Sequence, residues 1–284
     1  MRAGHVGRWL RSREARTLLG VIVVAMGIWA FVGIARAVVA GRAEGIDRAV
    51  LRLTRQPGNP AELVGPRWAR EVARDVTALG SAIVLLLVVA GVGGSLALMS
   101  RRREAALLLV VAFGGWGLSL GLKAAIGRER PELFPAVTET YNSSFPSGHS
   151  MVSAAVYLTV GAALARLTER RWLKVHLMGL AVALTGIVGL SRVYLGVHYP
   201  TDVVAGWSLG VAWATLCWLV HRFLASRADG SRHPAGGVSH GGGAPRAPTT
   251  SSFPSSSSNF RVYFGSFSLR YLSKNAGRHF STWT

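Results

Sequence analysis

Lys123, Arg130 and Arg192 are cations at or just beyond the ends of apolar runs, Ser147, Gly148 and His149 stand together before another run, and His198 precedes Asp202 by four residues. Three fixed positive charges call for an anion, and the planar fork of arginine matches phosphate oxygens in pairs. Pro146, Ser147 and Gly148 lead into an apolar helix, whose N-terminal amides and partial positive charge suit an oxyanion, and Gly148 allows close backbone approach. On a helical turn His198 and Asp202 share a face, so Asp202 can hold one ring nitrogen and leave the other as a nucleophile. Pro200 lies between them and is compatible with a first helical turn. His149 is then available as general acid for a leaving oxygen and afterwards as base for an attacking water. These residues suit phosphoryl transfer, where catalysis is mainly positioning and charge stabilisation.

The elements that must hold these groups follow from hydropathy. The 284 residues include 34 Gly, are 50% hydrophobic and carry a net charge of +19. The charges are clustered, and long stretches hold almost none, which excludes an ordinary soluble enzyme and a disordered chain. Such a basic excess could serve nucleic acid, but it lies mostly between apolar runs and so faces anionic lipid instead. Six windows reach the ~20 residues needed to cross a bilayer: Leu18–Val39, Thr77–Met99, Ala105–Ala125, Met151–Leu167, Val175–Val193 and Val203–Leu224. Backbone in hydrocarbon must satisfy itself, so the fold class is all-α, a six-transmembrane-helix bundle. Glycines such as Gly91, Gly93, Gly94, Gly114, Gly115 and Gly117 are candidates for close helix contact. Three domains are expected: a basic cytoplasmic N-terminus (1–17), a six-span catalytic unit (18–226) and a disordered Gly/Ser/Pro-rich tail (227–284).

If the spans alternate, the arginine-rich loops around 101–103, 166–174 and 222–227 share one side with the N-terminus. By the positive-inside rule that side is cytoplasmic, with both termini, and the three candidate clusters fall on the outer face. The first apolar run is longer than a signal-peptide core and is read as a retained span. Between it and the second run, Ile46, Val50, Leu51 and Leu53 suit a short helix lying in the interface. The one cysteine, Cys217, excludes an intramolecular disulfide and a CxxC metal site. Arg128 is read as a surface or lipid-contacting residue, and Tyr194 and Tyr199 lie near the clusters without a role. The abundance of Arg, Ala and Gly is of a bacterial kind, so a bacterial plasma membrane is expected.

Lys123 to Pro131 reads K-x6-R-P, Pro146 to His149 reads P-S-G-H, and Ser191 to Asp202 reads S-R-x5-H-x3-D. In order and spacing these resemble the three signatures of the type 2 phosphatidic acid phosphatase superfamily, over roughly Leu18–Leu224. The resemblance implies that His198 is the nucleophile of a phosphohistidine intermediate, that Asp202 orients it and that His149 is the acid and base. It implies phosphate binding by Lys123, Arg130 and Arg192, beside the Ser147–Gly148 backbone, and no metal or other cofactor. The absence of a carboxylate cluster suited to Mg²⁺ agrees.

The expected activity is hydrolysis of a lipid phosphomonoester or pyrophosphate: phosphatidic acid, phosphatidylglycerol phosphate, or undecaprenyl or a related isoprenoid pyrophosphate. A lipid headgroup reaches a site at the membrane edge by lateral diffusion. The expected partners are therefore the lipid phosphate and membrane lipids, with no nucleic acid. Two alternatives stay open: a phosphotransferase using the same histidine toward a lipid or sugar acceptor, and a non-catalytic protein that binds or transports anionic lipid. Vanadate haloperoxidase chemistry, the related soluble variant, is disfavoured by six spans. The motif residues all contact the shared phosphate and leave the particular lipid undetermined, and oligomeric state is not legible.

Overall fold

Long apolar runs become helices because an open backbone finds no hydrogen-bond partner in hydrocarbon. The computed structural model describes residues 13–131 and 143–230. Among these the order is α1 (Arg13–Val39), α2 (Glu44–Leu53), β1 (Arg55–Gln56), β2 (Asn59–Leu63), α3 (Arg67–Ala78), α4 (Ala82–Leu98), α5 (Arg102–Ile126), α6 (Gly148–Ala165), α7 (Arg171–Tyr194) and α8 (Pro200–Gly230). Helices α1, α5, α6, α7 and α8 are long and apolar enough to cross a membrane, and α3 with α4 makes a sixth crossing if the bent pair is one span. The all-α membrane bundle expected from hydropathy is therefore present. The tail expected to be disordered lies outside the described residues from 231 onward, and α8 itself continues through residues 227–230.

The run Thr77–Met99 is divided. Helix α3 is polar, with Arg67, Arg70, Glu71, Arg74 and Asp75, whereas α4 has no charged residue. Between them Ser81 starts the new helix by accepting a hydrogen bond from the Val84 N–H at 3.3 Å, and the axes bend by 49°. The serine cap satisfies one of the amides that a helix start leaves open. The short helix expected around Ile46–Leu53 is present as α2. It exposes Ile46 and Leu53 and buries Leu51 together with Asp47, one turn apart on the same face. A small antiparallel hairpin, β1 with β2, follows it, a feature absent from the sequence reading.

Small residues let the bundle close. A Cβ at Gly206 of α8 would lie 2.8 Å from the Ser147 carbonyl oxygen, and one at Gly210 would lie 2.3 Å from that of Met151, so α8 crosses the start of α6 at backbone contact. Gly27 brings α1 equally close to Ser208 and Ala212. Of the glycines singled out from sequence, Gly114 is tightly packed, against Trp213, while Gly91, Gly94 and Gly117 face open space. One core cluster, with Leu85, Leu108, Val152, Val156 and Ala181, joins α4, α5, α6 and α7. A second, with Phe31, Phe145, Met151, Ala205 and Leu209, lies beneath the segment that leads into α6.

Candidate active site

Four helix ends meet at one end of the bundle: the C-termini of α5 and α7 and the N-termini of α6 and α8. Gly127 stops α5 in a left-handed conformation at φ +64°, its N–H bonded to the Lys123 carbonyl at 3.1 Å, and the chain turns away through Arg128–Pro131. Gly196, at φ +73°, does the same after α7 and returns the chain so that the Val197 N–H reaches the Arg192 carbonyl at 3.2 Å. That reversal carries His198 back over Arg192. Only glycine adopts these angles without strain.

Ser147 caps α6. Its hydroxyl oxygen accepts from the Ser150 N–H at 3.4 Å and the Ser150 hydroxyl at 2.9 Å, and its own N–H donates to the Asp202 carbonyl at 3.0 Å. This last bond ties the P-S-G-H segment to the third motif. First-turn amides of a helix have no partner within it, so Gly148 and His149 begin α6 with donors directed out of its end. Gly148 packs against α5, where a Cβ would meet the Ser119 hydroxyl at 3.2 Å and the Lys123 side chain at 3.7 Å.

His198 is buried, 2% exposed, with Nδ1 3.4 Å from Asp202 Oδ2. The same carboxylate oxygen accepts the Tyr199 N–H at 3.0 Å. Burial pushes the His198 imidazole down to about 4, against the opposing hydrogen bond that its ring donates to Asp202 and with the help of Arg192 and Arg130. The ring is thus neutral near pH 7, as a nucleophile requires. Nδ1 faces Asp202, which leaves Nε2 directed away from the carboxylate.

Arg192 and Arg130 lie within electrostatic reach of this ring, and Lys123 within reach of both arginines and of Asp202. Lys123 Nζ donates to the Ser143 carbonyl at 2.5 Å, and Arg130 donates to the Val197 carbonyl at 2.9 Å. Arg192 is 7% exposed and donates to the Thr77 hydroxyl at 3.2 Å, and its buried Nε has no partner among the described residues. An unsatisfied donor on a buried guanidinium is costly unless an anion completes it. His149 lies within electrostatic reach of Arg192, His198, Lys123 and Arg130. All eight residues singled out from sequence, 79 positions apart at the extremes, therefore converge on one end of the bundle.

Arg128 requires correction. It is not a lipid-facing surface residue: its side chain is 12% exposed, Nη1 lies 2.6 Å from Asp202 Oδ1 and Nη2 lies 2.7 Å from Asp47 Oδ2. The guanidinium also stacks 4.1 Å over the Tyr199 ring. Burial alone would lower its affinity for the proton, but Asp202 and Asp47 outweigh it and raise it. Sequence reasoning also passed over Asp47, which takes the Thr201 N–H at 3.0 Å and the Thr201 hydroxyl at 2.6 Å. The available signal was an aspartate one turn before Leu51 on the apolar face of α2. Tyr194 has a structural role, its hydroxyl donating to the Val64 carbonyl at 2.7 Å.

A family model described as PAP2 superfamily matches residues 103–226, the segment from α5 through most of α8. The chain is 34% identical over 155 residues to phosphatidylglycerophosphatase B of Bacillus subtilis (strain 168), an alignment that spans 53% of this chain and 74% of that protein. Over a shorter stretch of 67 residues, 24% of this chain and 28% of the other, it is 42% identical to the undecaprenyl-diphosphatase of Sulfolobus acidocaldarius. In three dimensions it is similar to the first transmembrane PAP2 type phosphatidylglycerolphosphate phosphatase from Bacillus subtilis, a crystal structure. That match has a TM-score of 0.62 at 30% identity over 72% of this chain and 96% of the other.

Proposed function

The chain belongs to the PAP2 superfamily and is an integral membrane lipid phosphatase, and from that premise we propose that it cleaves a lipid phosphomonoester or pyrophosphate through a phosphohistidine at His198. The observation that carries this reading is a neutral, buried His198 backed by Asp202 and facing a cluster of cations with an unsatisfied Arg192 donor.

In the first step His198 Nε2 attacks phosphorus in line. The N–P bond forms as the bond from phosphorus to the leaving oxygen breaks, and protonated His149 gives that oxygen its proton. Lys123, Arg130, Arg192 and the Ser147–Gly148 backbone hold the three remaining oxygens, whose charge they stabilise in the transition state. In the second step water attacks phosphorus, the now neutral His149 takes its proton, the N–P bond breaks and inorganic phosphate leaves. Asp202 keeps the imidazole oriented through both steps. The cations supply the charge neutralisation that a divalent metal supplies in other phosphoryl-transfer sites. Asp47 and Asp202, the two buried carboxylates at this end, are both engaged by Arg128, and the reaction is proposed to be metal-independent.

The substrate class is a phosphorylated lipid, with phosphatidylglycerol phosphate and undecaprenyl pyrophosphate the first candidates, since relatives are named phosphatidylglycerophosphatase B and undecaprenyl-diphosphatase, and with phosphatidic acid beside them from the motif resemblance. The site end of the bundle is proposed to face the outer side of a bacterial plasma membrane and both termini the cytoplasm. The loops at the opposite end, with Arg101, Arg102, Arg103, Arg166, Arg170 and Arg171, carry the positive charge that marks a cytoplasmic face.

The test is phosphate release by the purified full chain from a panel of these lipids, with chelator present and His198→Ala in parallel. Release that survives chelator and is lost in the variant, by about four orders of magnitude for a group of this kind, is the expected result. A strict Mg²⁺ requirement, or a variant that still turns over, sinks the mechanism. Release only on addition of a lipid or sugar acceptor makes the enzyme a phosphotransferase.

A further inference from the structure

Two arginines two residues apart have opposite fates. Arg130 donates to the carbonyl of Val197, the residue before His198, and lies within electrostatic reach of that ring, whereas Arg128 is held between two carboxylates. One of these is Asp202. The other, Asp47, comes from α2, outside the segment that the family model matches. Asp47 is 0% exposed and spends each oxygen: Oδ1 accepts the Thr201 N–H at 3.0 Å, and Oδ2 accepts the Thr201 hydroxyl at 2.6 Å and Arg128 Nη2 at 2.7 Å. Arg128 Nη1 in turn donates to the Thr201 hydroxyl oxygen at 2.9 Å and to Asp202 Oδ1 at 2.6 Å.

We propose that Asp47 is a positioning residue for phosphoryl transfer: acting through Arg128 and Thr201, it fixes the Asp202 carboxylate so that Oδ2 stays against His198 Nδ1. The inference rests on the reading of His198 as nucleophile. Asp202 has two oxygens, and the imidazole uses only one. A guanidinium gripped by Asp202 alone is free to pivot and take both oxygens in a fork, which is the preferred arginine–carboxylate geometry. That would draw Oδ2 from the imidazole. Asp47 prevents it by occupying the second amino group of the fork, and it neutralises a charge that would otherwise compete for the substrate's phosphate. The bond from Asp47 to the Thr201 N–H also pins the first turn of α8, from which Asp202 projects. A short helix at the membrane surface therefore completes a site whose other parts all come from the spanning helices and their adjoining loops.

A group acting from behind should alter turnover more than substrate binding, because it touches no substrate. The measurement is kcat and KM for phosphatidylglycerol phosphate, per folded full-length protein in detergent, for wild type, Asp47→Asn, Asp47→Glu, His198→Ala and Glu44→Gln. Glu44, one turn earlier on α2, pairs with Arg48 in an exposed bridge and serves as control. Asp47→Asn is expected to lose about tenfold to a hundredfold in kcat, the usual range for groups that orient a catalytic residue, with KM within about twofold, while Asp47→Glu recovers part of the loss and Glu44→Gln matches wild type. An unchanged kcat in folded Asp47→Asn overturns the proposal, as does a loss of KM alone. Should Asp47→Asn not fold, the same split is read on Arg128→Lys, which keeps the charge but loses the fork, and wild-type kcat there also overturns it. His198→Ala separates the two readings: turnover in that variant removes the nucleophile assignment itself, whereas a dead His198→Ala beside a fully active Asp47→Asn removes only the role of Asp47.

Discussion

The two ends of the bundle are both rich in arginine and use it differently. At the site end Arg128 and Arg192 are almost wholly covered, each bonded to named side chains, and Arg130 donates to the Val197 carbonyl. At the opposite end Arg102, Arg103, Arg166, Arg170 and Arg171 are exposed, and the ion pairs there are looser: Arg101 to Glu104 at 3.3 Å and Lys174 to Glu169 at 3.9 Å, the latter with a fully exposed partner. Water screens the second set, so each pair contributes little. Desolvation strengthens the first set and makes every unpaired donor costly. An arginine in this molecule is therefore a buried, fixed charge or a solvated one according to what covers it, and the roles proposed for the two ends, phosphate binding and membrane orientation, follow that division.

Removing a site-end cation tests the comparison most severely. Arg192→Ala is expected to lower kcat/KM by about 10²–10³-fold, the magnitude for a donor aimed at developing phosphoryl charge, measured as phosphate release per folded protein. A loss of only a few fold would place Arg192 among structural cations. A smaller effect concerns the ring it faces. His198, held neutral by burial, should take up a proton only as pH falls to about 4 in the free enzyme, well below the ordinary histidine value of 6.5. Nitrogen-15 NMR of labelled histidines, assigned by the resonance missing in His198→Ala, reads this directly, and a midpoint at 6 or above would mean that water reaches the imidazole. At the opposite end, replacing Arg102 and Arg103 together by Gln should leave kcat and KM within about twofold, as for exposed surface changes. A tenfold fall in the correctly inserted variant would erase the distinction between the two ends.

Much of this was legible in the sequence, for identifiable reasons. Long apolar runs announced α1 and α5–α8, because hydrocarbon permits only helices or closed barrels. The break at Leu79–Ser81 was overlooked because hydropathy averages across it, although a Gly80–Ser81 pair is both breaker and cap. The hairpin at 55–63 escaped because its strands are short and lack alternation. Glycine contacts are poorly legible: Gly206 and Gly210, which set α8 against α6, are no different in sequence from Gly91 and Gly94, where a Cβ would meet open space.

The sequence alone determined the residue types, their order and the alternation of spans, and hence that Lys123, Arg130, Ser147, Gly148, His149, Arg192, His198 and Asp202 belong at one end of a membrane bundle. Those properties are carried by local hydropathy and motif spacing. The tertiary structure decided that Arg128 is buried between Asp47 and Asp202, 81 and 74 residues away in the chain. Desolvation and ion pairing depend on which neighbours displace water around a side chain, and no local spacing records neighbours that far apart.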